Sequence, residues 1–378
     1  MAFFMKRIAI LSLGRTENYG AILQTYALQT YLKSQNFEVA SIDYCNEANT
    51  DTRRLYFRIR SAVWGKLVKP LFAYRVRIKR TNTFKNSYIT YMFQTYNTQA
   101  QLSQKPPVCD YIIVGSDQVW NPNIVGFDSS WFLDFEKESV KKIAYAASFG
   151  LSELSDEYKA FCAPFIKSIK KISTREETGA NIIQKLGISK PQVVVDPVFL
   201  LTKEEWSKIA LTSFREKYVL CYYMPGFPEV ERTIQRISKK YAQEHQLSIV
   251  NIGKKEYEKI YFWENNLYGT GPAEFVGLFQ NADFVVTNSF HGTAFSVIFE
   301  KNFVSVVDEN VKRGALSSRI TDMLARFRMN SCVCNISGDK QACFPKIDYA
   351  DKQKFIFEAI NKSKKFLTDA LEKENAVM

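Results

Sequence analysis

No run of this sequence approaches the roughly 18 consecutive apolar residues that a membrane-spanning helix needs. Its seven cysteines (Cys45, Cys109, Cys162, Cys221, Cys332, Cys334 and Cys343) are odd in number, irregular in spacing and never arranged as C-x-x-C, which excludes a disulfide-stapled scaffold and points to a reducing cytoplasm. Cys332, Cys334 and Cys343 with a histidine match no zinc-ligand spacing, so no metal centre is expected. There is no P-loop and no complete G-x-G-x-x-G, because "GTGPAE" lacks the third glycine; there is no G-x-S-x-G nucleophile elbow. D-x-D is missing as well, which weighs against a metal-bridged nucleotide-sugar mechanism. Histidine is scarce, with His245 and His291 the only two in 378 residues. Internal repeats and low-complexity tracts are also lacking.

What is present is enough for two ordinary domains: 46% of the residues are hydrophobic. The opening "MAFFMKRIAILSLG" has too short an apolar run for a signal peptide and reads as a buried first strand. The net charge of +12 is concentrated between residues 51 and 85, which hold eleven Lys or Arg and one Asp. Interleaved with Leu55, Phe57, Ile59, Trp64, Leu67 and Leu71, these cations describe a basic amphipathic helix. It suits an anionic membrane surface or ligand, or else a solvated face packed on its own domain. No nucleic-acid-binding module accompanies the charge, so a nucleic-acid partner is not expected.

Short β-rich segments ("RIAILSL", "EVASIDY", "DYIIVG", "KKIAYAASF", "PQVVVD") alternate with helical patterns, the signature of parallel βαβ units. A second set follows ("KYVLCYYM", "LSIVNIG", "DFVVT", "FVSVV"), and Thr202 with Glu205 forms a capping box near the junction. The expected fold is α/β with two Rossmann-like domains. The N-terminal one covers 1–205, with the basic segment 51–85 and the acceptor side, the C-terminal one 206–345, with an anion-binding turn at 287–293, and a helix in 346–378 packs back.

Ligands of open parallel sheets bind at the carboxyl ends of strands, where helix N-termini aim free N–H groups. At those positions stand Asn18 and Tyr19 after the first strand, Asp117 and Trp120 after "YIIVG", Arg175 after "KKIS", and Asn288, Ser289 and His291 after "DFVVT". His291 lies on a strand-to-helix turn where Gly292 permits close approach to an anion, which in turn favours a protonated imidazole; the competing reading is a satisfied structural histidine. His245, at the polar end of a surface helix, suggests no chemistry. Asp117 is a candidate base or an N-cap. Arg175, beside a second capping box of Ser173 and Glu176, is a bidentate anion ligand or an ion-pair partner of Glu176 or Glu177. Trp120 and Trp131 are either sugar-stacking rings or core.

The blocks "ENYGAILQTYAL", "VGSDQVWN", "AYAASFG", "STREETG", "VVDPVFLL" and "NADFVVTNSFHGTAFSVIFEKNF", in this order, resemble the polysaccharide pyruvyltransferase family, with a weaker echo at "SSRI" around Arg319. The resemblance implies two domains facing across a cleft, similar to GT-B glycosyltransferases. It also implies transfer of the pyruvyl group of phosphoenolpyruvate to two hydroxyls of one sugar, in a polysaccharide or lipid-linked oligosaccharide precursor. The family's essential Asp, Arg and His fall on Asp117, Arg175 and His291. In the scheme this suggests, His291 protonates the donor, Asp117 deprotonates the sugar, and Arg175 holds the donor's carboxylate or phosphate. Asn288, Ser289, Gly292 and Arg319 bind the donor, Asn18, Tyr19 and Trp120 the acceptor, with no cofactor and no metal. A lipid-linked acceptor gives segment 51–85 a place at the inner face of the cell membrane. Two alternatives remain: a GT-B glycosyltransferase using a nucleotide sugar, with Glu274 as its ribose-gripping carboxylate, and a non-catalytic carbohydrate-binding member of a polysaccharide assembly.

Overall fold

Strands and helices alternate as the sequence predicts, and in the computed structural model they build two parallel sheets. The structure describes residues 5–45, 68–136, 140–212, 214, 216–224, 226–252, 265–267, 269–308, 315–336 and 344–371. The part of the basic segment from 51 to 67 lies outside them.

The first sheet has seven strands: β1 (Arg7–Leu11), β2 (Glu38–Tyr44), β3 (Tyr91–Tyr96), β4 (Tyr111–Val114), β5 (Lys141–Ala147), β6 (Lys171–Thr174) and β7 (Gln192–Val193). Their spatial order is β3-β2-β1-β4-β5-β6-β7, with every pairing parallel. Ile8 is the register point, standing beside Val39 on one side and Tyr111 on the other. All four residues of β4 are buried, as expected of a parallel strand covered on both faces.

The second sheet has the order β10-β9-β8-β11-β12-β13. It is built from β8 (Tyr218–Tyr222), β9 (Ser248–Asn251), β10 (Asn265–Asn266), β11 (Phe284–Thr287), β12 (Asn302–Val307) and β13 (Val333–Asn335), again all parallel. Each sheet therefore reverses its winding once, between β1 and β4 in the first and between β8 and β11 in the second. Those reversals are the topological switch points at which such sheets bind ligands.

The chain divides into two compact units, Met1–Asp51, Tyr88–Leu201 and Ile356–Met378 in one, Thr52–Ser87 and Thr202–Phe355 in the other. The helix Val68–Tyr88, part of the basic segment, thus groups largely with the second sheet. Two contacts explain it: Arg80 pairs with Glu274 at 3.0 Å and donates to the Gly269 carbonyl at 2.9 Å. The long closing helix Tyr349–Leu371 also serves both units. In the second, Tyr349 Oη donates to the Lys301 carbonyl at 2.6 Å. In the first, Ser363 Oγ accepts from Val195 N at 2.9 Å and the Leu371 carbonyl from Tyr111 Oη at 2.8 Å.

Local chemistry places the helices. Asn18 caps Tyr19–Ser34 by accepting from Gly20 N at 3.0 Å. Inside that buried helix, Gln29 brackets the backbone of Thr90 with both ends of its amide, at 2.9 and 3.0 Å. This bracket sits just ahead of β3, whose half-exposed pattern hides it from sequence reading. The capping box at Thr202 and Glu205 forms as predicted, at 2.7 and 3.2 Å. The one predicted at Ser173 and Glu176 does not. Ser173 Oγ instead bonds the Ala144 carbonyl and Ala146 N, and the helix Glu177–Lys185 starts without a side-chain cap.

Candidate functional site

At the switch point of the first sheet, β4 runs into the loop Gly115-Ser116-Asp117. Asp117 adopts a left-handed backbone conformation (φ 70°), uncommon for a residue with a side chain and a mark of local over-determination. Its carbonyl accepts from Val119 N at 2.8 Å and Ser148 N at 3.1 Å, so the loop after β4 is sewn to the loop after β5. A second stitch lies at Gly150 (φ 61°): a side chain there would collide with Gln118, whose amide lies over this glycine.

Beneath Asp117 lies a buried ionic network. Arg175 Nη1 donates to Asp196 Oδ2 at 2.9 Å, Nη2 lies 3.4 Å from Asp117 Oδ1, and Nε lies 3.6 Å from Glu176 Oε2. Ser116 Oγ donates to Asp196 Oδ2 at 2.9 Å and Ser148 Oγ to Glu176 Oε1 at 2.7 Å. Burial opposes the charge of Arg175, but the carboxylates of Asp117, Asp196 and Glu176 outweigh it and raise the guanidinium pKa above its ordinary value. Of the two ion-pair partners anticipated from sequence, Glu176 is in the network and Glu177 pairs with Lys190 instead. The strand-end rule reaches Ser116 and Ser148, the polar residues after β4 and β5, but sequence reasoning missed Asp196. Asp196 stands in the block "VVVDPVF", and its signal was a carboxylate directly following a buried apolar run.

At the switch point of the second sheet, β11 runs into Asn288, Ser289 and the helix Phe290–Ile298, whose first turn carries His291. Gly292 is required by packing. A Cβ there would lie well under 3.0 Å from Thr287 Oγ1 and 3.1 Å from Tyr222 Cδ1. Thr287 Oγ1 in turn donates to the Tyr222 carbonyl and accepts from Ser289 N at 3.0 Å. Ser289 occupies the N-cap position, yet its hydroxyl makes no cap bond, so this helix end keeps its positive pole without a capping oxygen. His291 is buried, with its ring edge-on to Phe290. Asn288 has a different place from the one expected: its amide bonds both polar groups of the Met224 backbone, at 2.6 and 3.1 Å, tying the loop after β8 to the loop after β11. Arg319, also buried, belongs to the helix Ala315–Arg326, which packs against the His291 helix.

The acceptor-side residues are placed differently from the expectation. Asn18 is the helix N-cap described above and Tyr19 is fully buried. Trp120 has no exposed surface: it stacks on Phe132, and its Nε1 donates to the Trp131 carbonyl at 2.9 Å. Trp131 is core as well. Neither ring offers a face to a sugar. Glu274 is held by Gly271 N at 3.2 Å and by Arg80, which leaves it a cap and not a ribose ligand. His245 stacks on Tyr241 and bonds its carbonyl at 3.0 Å, a structural role. Among the described residues no cluster of His, Cys, Asp and Glu could hold a metal ion, and Cys343 lies outside them. No helix among them is long and apolar enough to cross a membrane.

Several solved structures are similar to the chain at low identity. UDP-GlcNAc 2-epimerase of Methanocaldococcus jannaschii is 12% identical with a TM-score of 0.48, over 94% of this chain and 92% of that one. The S. aureus MnaA–UDP co-structure is 12% identical with a TM-score of 0.49, over 94% and 91%. E. coli heptosyltransferase WaaC with ADP is 11% identical with a TM-score of 0.42, over 93% and 99%. No curated protein matches the chain. The model of the polysaccharide pyruvyl transferase family matches residues 18–310, a span that takes in both switch-point loops, the Arg175 network and the His291 turn. The chain is a transferase, and it belongs to the polysaccharide pyruvyl transferase family.

Proposed function

We propose that the enzyme moves the pyruvyl group of phosphoenolpyruvate onto two hydroxyls of one sugar, forming a pyruvate ketal and releasing phosphate. The acceptor is a polysaccharide or lipid-linked oligosaccharide precursor. The observation that carries this reading is the His291 turn, a buried imidazole in the uncapped first turn of a helix at a switch point, within a chain of this family. Such a helix end favours an anion, and phosphoenolpyruvate brings a phosphate and a carboxylate.

In the proposed reaction His291 delivers a proton to the enol carbon C3, which becomes the methyl group, and C2 takes on oxocarbenium character. Asp117 accepts the proton of the first sugar hydroxyl as its oxygen bonds to C2. The C2–O bond to phosphate then breaks, and the second hydroxyl closes the ring, its proton leaving with the phosphate. Ser289 and the Gly292 N–H supply hydrogen bonds to the donor at the same turn. Asn288 and Arg319 act at one remove, the first by bracing the turn through Met224, the second from the neighbouring helix. The enzyme works at the cytoplasmic side of the membrane, where Arg75 and Lys79, exposed on the helix Val68–Tyr88, favour anionic lipid.

The test is thermal stability of the full chain with phosphoenolpyruvate, compared with UDP- and CMP-sugars. At a hundredfold excess over Kd a ligand adds about 2.7 kcal/mol, which for a domain of 150–250 residues is about 5–11 °C. Phosphoenolpyruvate is expected to give this rise, and His291→Ala to lower turnover by about 100-fold or more with the fold intact. A rise with a nucleotide sugar in its place would replace this reading with glycosyl transfer.

A further inference from the structure

A guanidinium offers five N–H donors in one plane, and in Arg175 that plane faces three of the chain's own carboxylates. Its side chain is 1% exposed, with Asp196, Glu176 and Asp117 all within 4 Å of its nitrogens. We infer that Arg175 is a positioning residue for Asp117 and not a ligand of the donor, and that Asp196 and Glu176 are the anchors that hold it there. The inference rests on the reading of Asp117 as the base.

Three observations carry it. The first is exposure, which grades across the cluster: the side chains of Asp196 and Glu176 are 0% and 3% exposed, that of Asp117 is 9%. Asp117 is therefore the member nearest the solvent at the carboxyl edge of the sheet, and the other two lie behind the arginine. Second, the two inner carboxylates are fastened independently of it. Asp196 accepts from Ser116 Oγ at 2.9 Å and from Val198 N at 3.1 Å, and Glu176 accepts from Ser148 Oγ at 2.7 Å. With its far side so fixed, the guanidinium has a single orientation, and that orientation points Nη2 at Asp117. Third, the guanidinium already faces anions of its own chain. Three carboxylates lie within 4 Å of its nitrogens, and a phosphate or carboxylate reaching Arg175 would have to displace one of them. The same arrangement suits a positioned base, since the guanidinium contacts the Asp117 carboxylate while the inner anions keep that cation in place.

The work of Arg175 is then geometric. Asp117 already stands in a left-handed backbone conformation pinned by Ser148 N. The Arg175 contact fixes its side chain as well, so that its carboxylate meets the sugar hydroxyl without reorganisation.

The experiment compares Arg175→Lys, Glu176→Gln and Asp117→Asn in the full chain, with steady-state kinetics in phosphoenolpyruvate. Arg175→Lys is expected to lose about 100-fold in kcat, the size of a general-base contribution. Its KM for phosphoenolpyruvate should stay within about threefold of the parent, because uniform donor binding is untouched. Glu176→Gln keeps the Ser148 bond and the shape but removes one anchor charge; it should show the same split more weakly, and it serves if the arginine variant fails to fold. A KM raised more than about tenfold with kcat kept would make Arg175 a donor ligand and overturn the inference. A second readout needs no activity: thermal unfolding of Arg175→Met, Asp117→Asn and the double variant. Coupling predicts a combined loss in Tm well short of the sum, and additive losses overturn the inference. If the parent shows no turnover of phosphoenolpyruvate, the proposed reaction fails while the unfolding cycle still decides the Arg175 contact.

Discussion

Gly292→Ala tests whether the His291 turn is built to a tolerance of less than one methyl group. The new Cβ would fall well under 3.0 Å from Thr287 Oγ1, 3.1 Å from Thr287 Cβ and 3.1 Å from Tyr222 Cδ1. Thr287 has no free volume into which to retreat: it is fully buried, and its hydroxyl holds both the Tyr222 carbonyl and Ser289 N. Overpacking of this kind costs about 1–3 kcal/mol, and disturbing the two hydrogen bonds adds about 1 kcal/mol each. Alanine returns about 1 kcal/mol of helix propensity. The net loss is then about 2–4 kcal/mol, or roughly 4–16 °C in Tm at ~2–4 °C per kcal/mol for a domain of 150–250 residues. The helix can relieve the clash only by moving away from β11, which carries His291 with it. A displacement of about 1 Å at a reacting group costs on the order of 100-fold in rate. Differential scanning calorimetry and phosphate release on one preparation read both quantities. Adding Thr287→Ala removes the colliding oxygen, so the double variant should lose less Tm than the two single losses together. A Gly292→Ala protein within 1 °C of the parent by these estimates and fully active would refute the packing account.

Two further outcomes follow from charges outside the candidate site. Burial, with Lys217 and Lys203 close by, pushes the Lys301 ammonium down to about 8 from 10.5, so between those values the unfolded chain binds more protons than the folded one. Folding is opposed below pH 8 and relieved as pH rises to 10.5. Fully buried, such a drop would amount to about 3.4 kcal/mol; solvent at the half-buried side chain reduces it to about 1 kcal/mol. Lys301→Met should therefore raise Tm at pH 7, with the gain fading across pH 8–10.5, and a gain that is flat with pH would count against this cause. At the exposed face of the helix Val68–Tyr88, replacing Arg75 and Lys79 by Glu should weaken sedimentation with phosphatidylserine-containing liposomes severalfold, since each cation near an anionic surface contributes about 1 kcal/mol. Unchanged binding would remove the membrane contact.

What the sequence made legible was local. The helices Tyr19–Ser34 and Pro228–His245 and the strand Glu38–Tyr44 coincide with the segments that periodicity picks out, because each buries its own pattern. The residues following β4 and β11 could be named as site candidates from the strand-end rule alone. What escaped depends on partners far along the chain. Arg175 reads from sequence as either an anion ligand or an ion-pair partner of Glu176 or Glu177, because neither Asp117, 58 residues before it, nor Asp196, 21 after it, can be seen to converge on its guanidinium. The capping box at Ser173 fails for the same reason, since Glu176 is drawn to Ser148, 28 residues away, and to Arg175. Trp120 and Trp131 follow strands as sugar-stacking rings do, yet the turns after β4 fold both inward against Phe132, Phe149 and Tyr44. The helix carrying the basic charge joins the second unit through Arg80 and Glu274, a pairing across nearly two hundred residues. In each case the electrostatic or packing partner that sets the side chain's contacts is supplied by tertiary structure. Asp117 and His291 stand on turns that the strand-end rule picks out, and each turn is held by its own local geometry. An αL backbone pinned by the next loop holds the first, and an uncapped helix end over Thr287 holds the second.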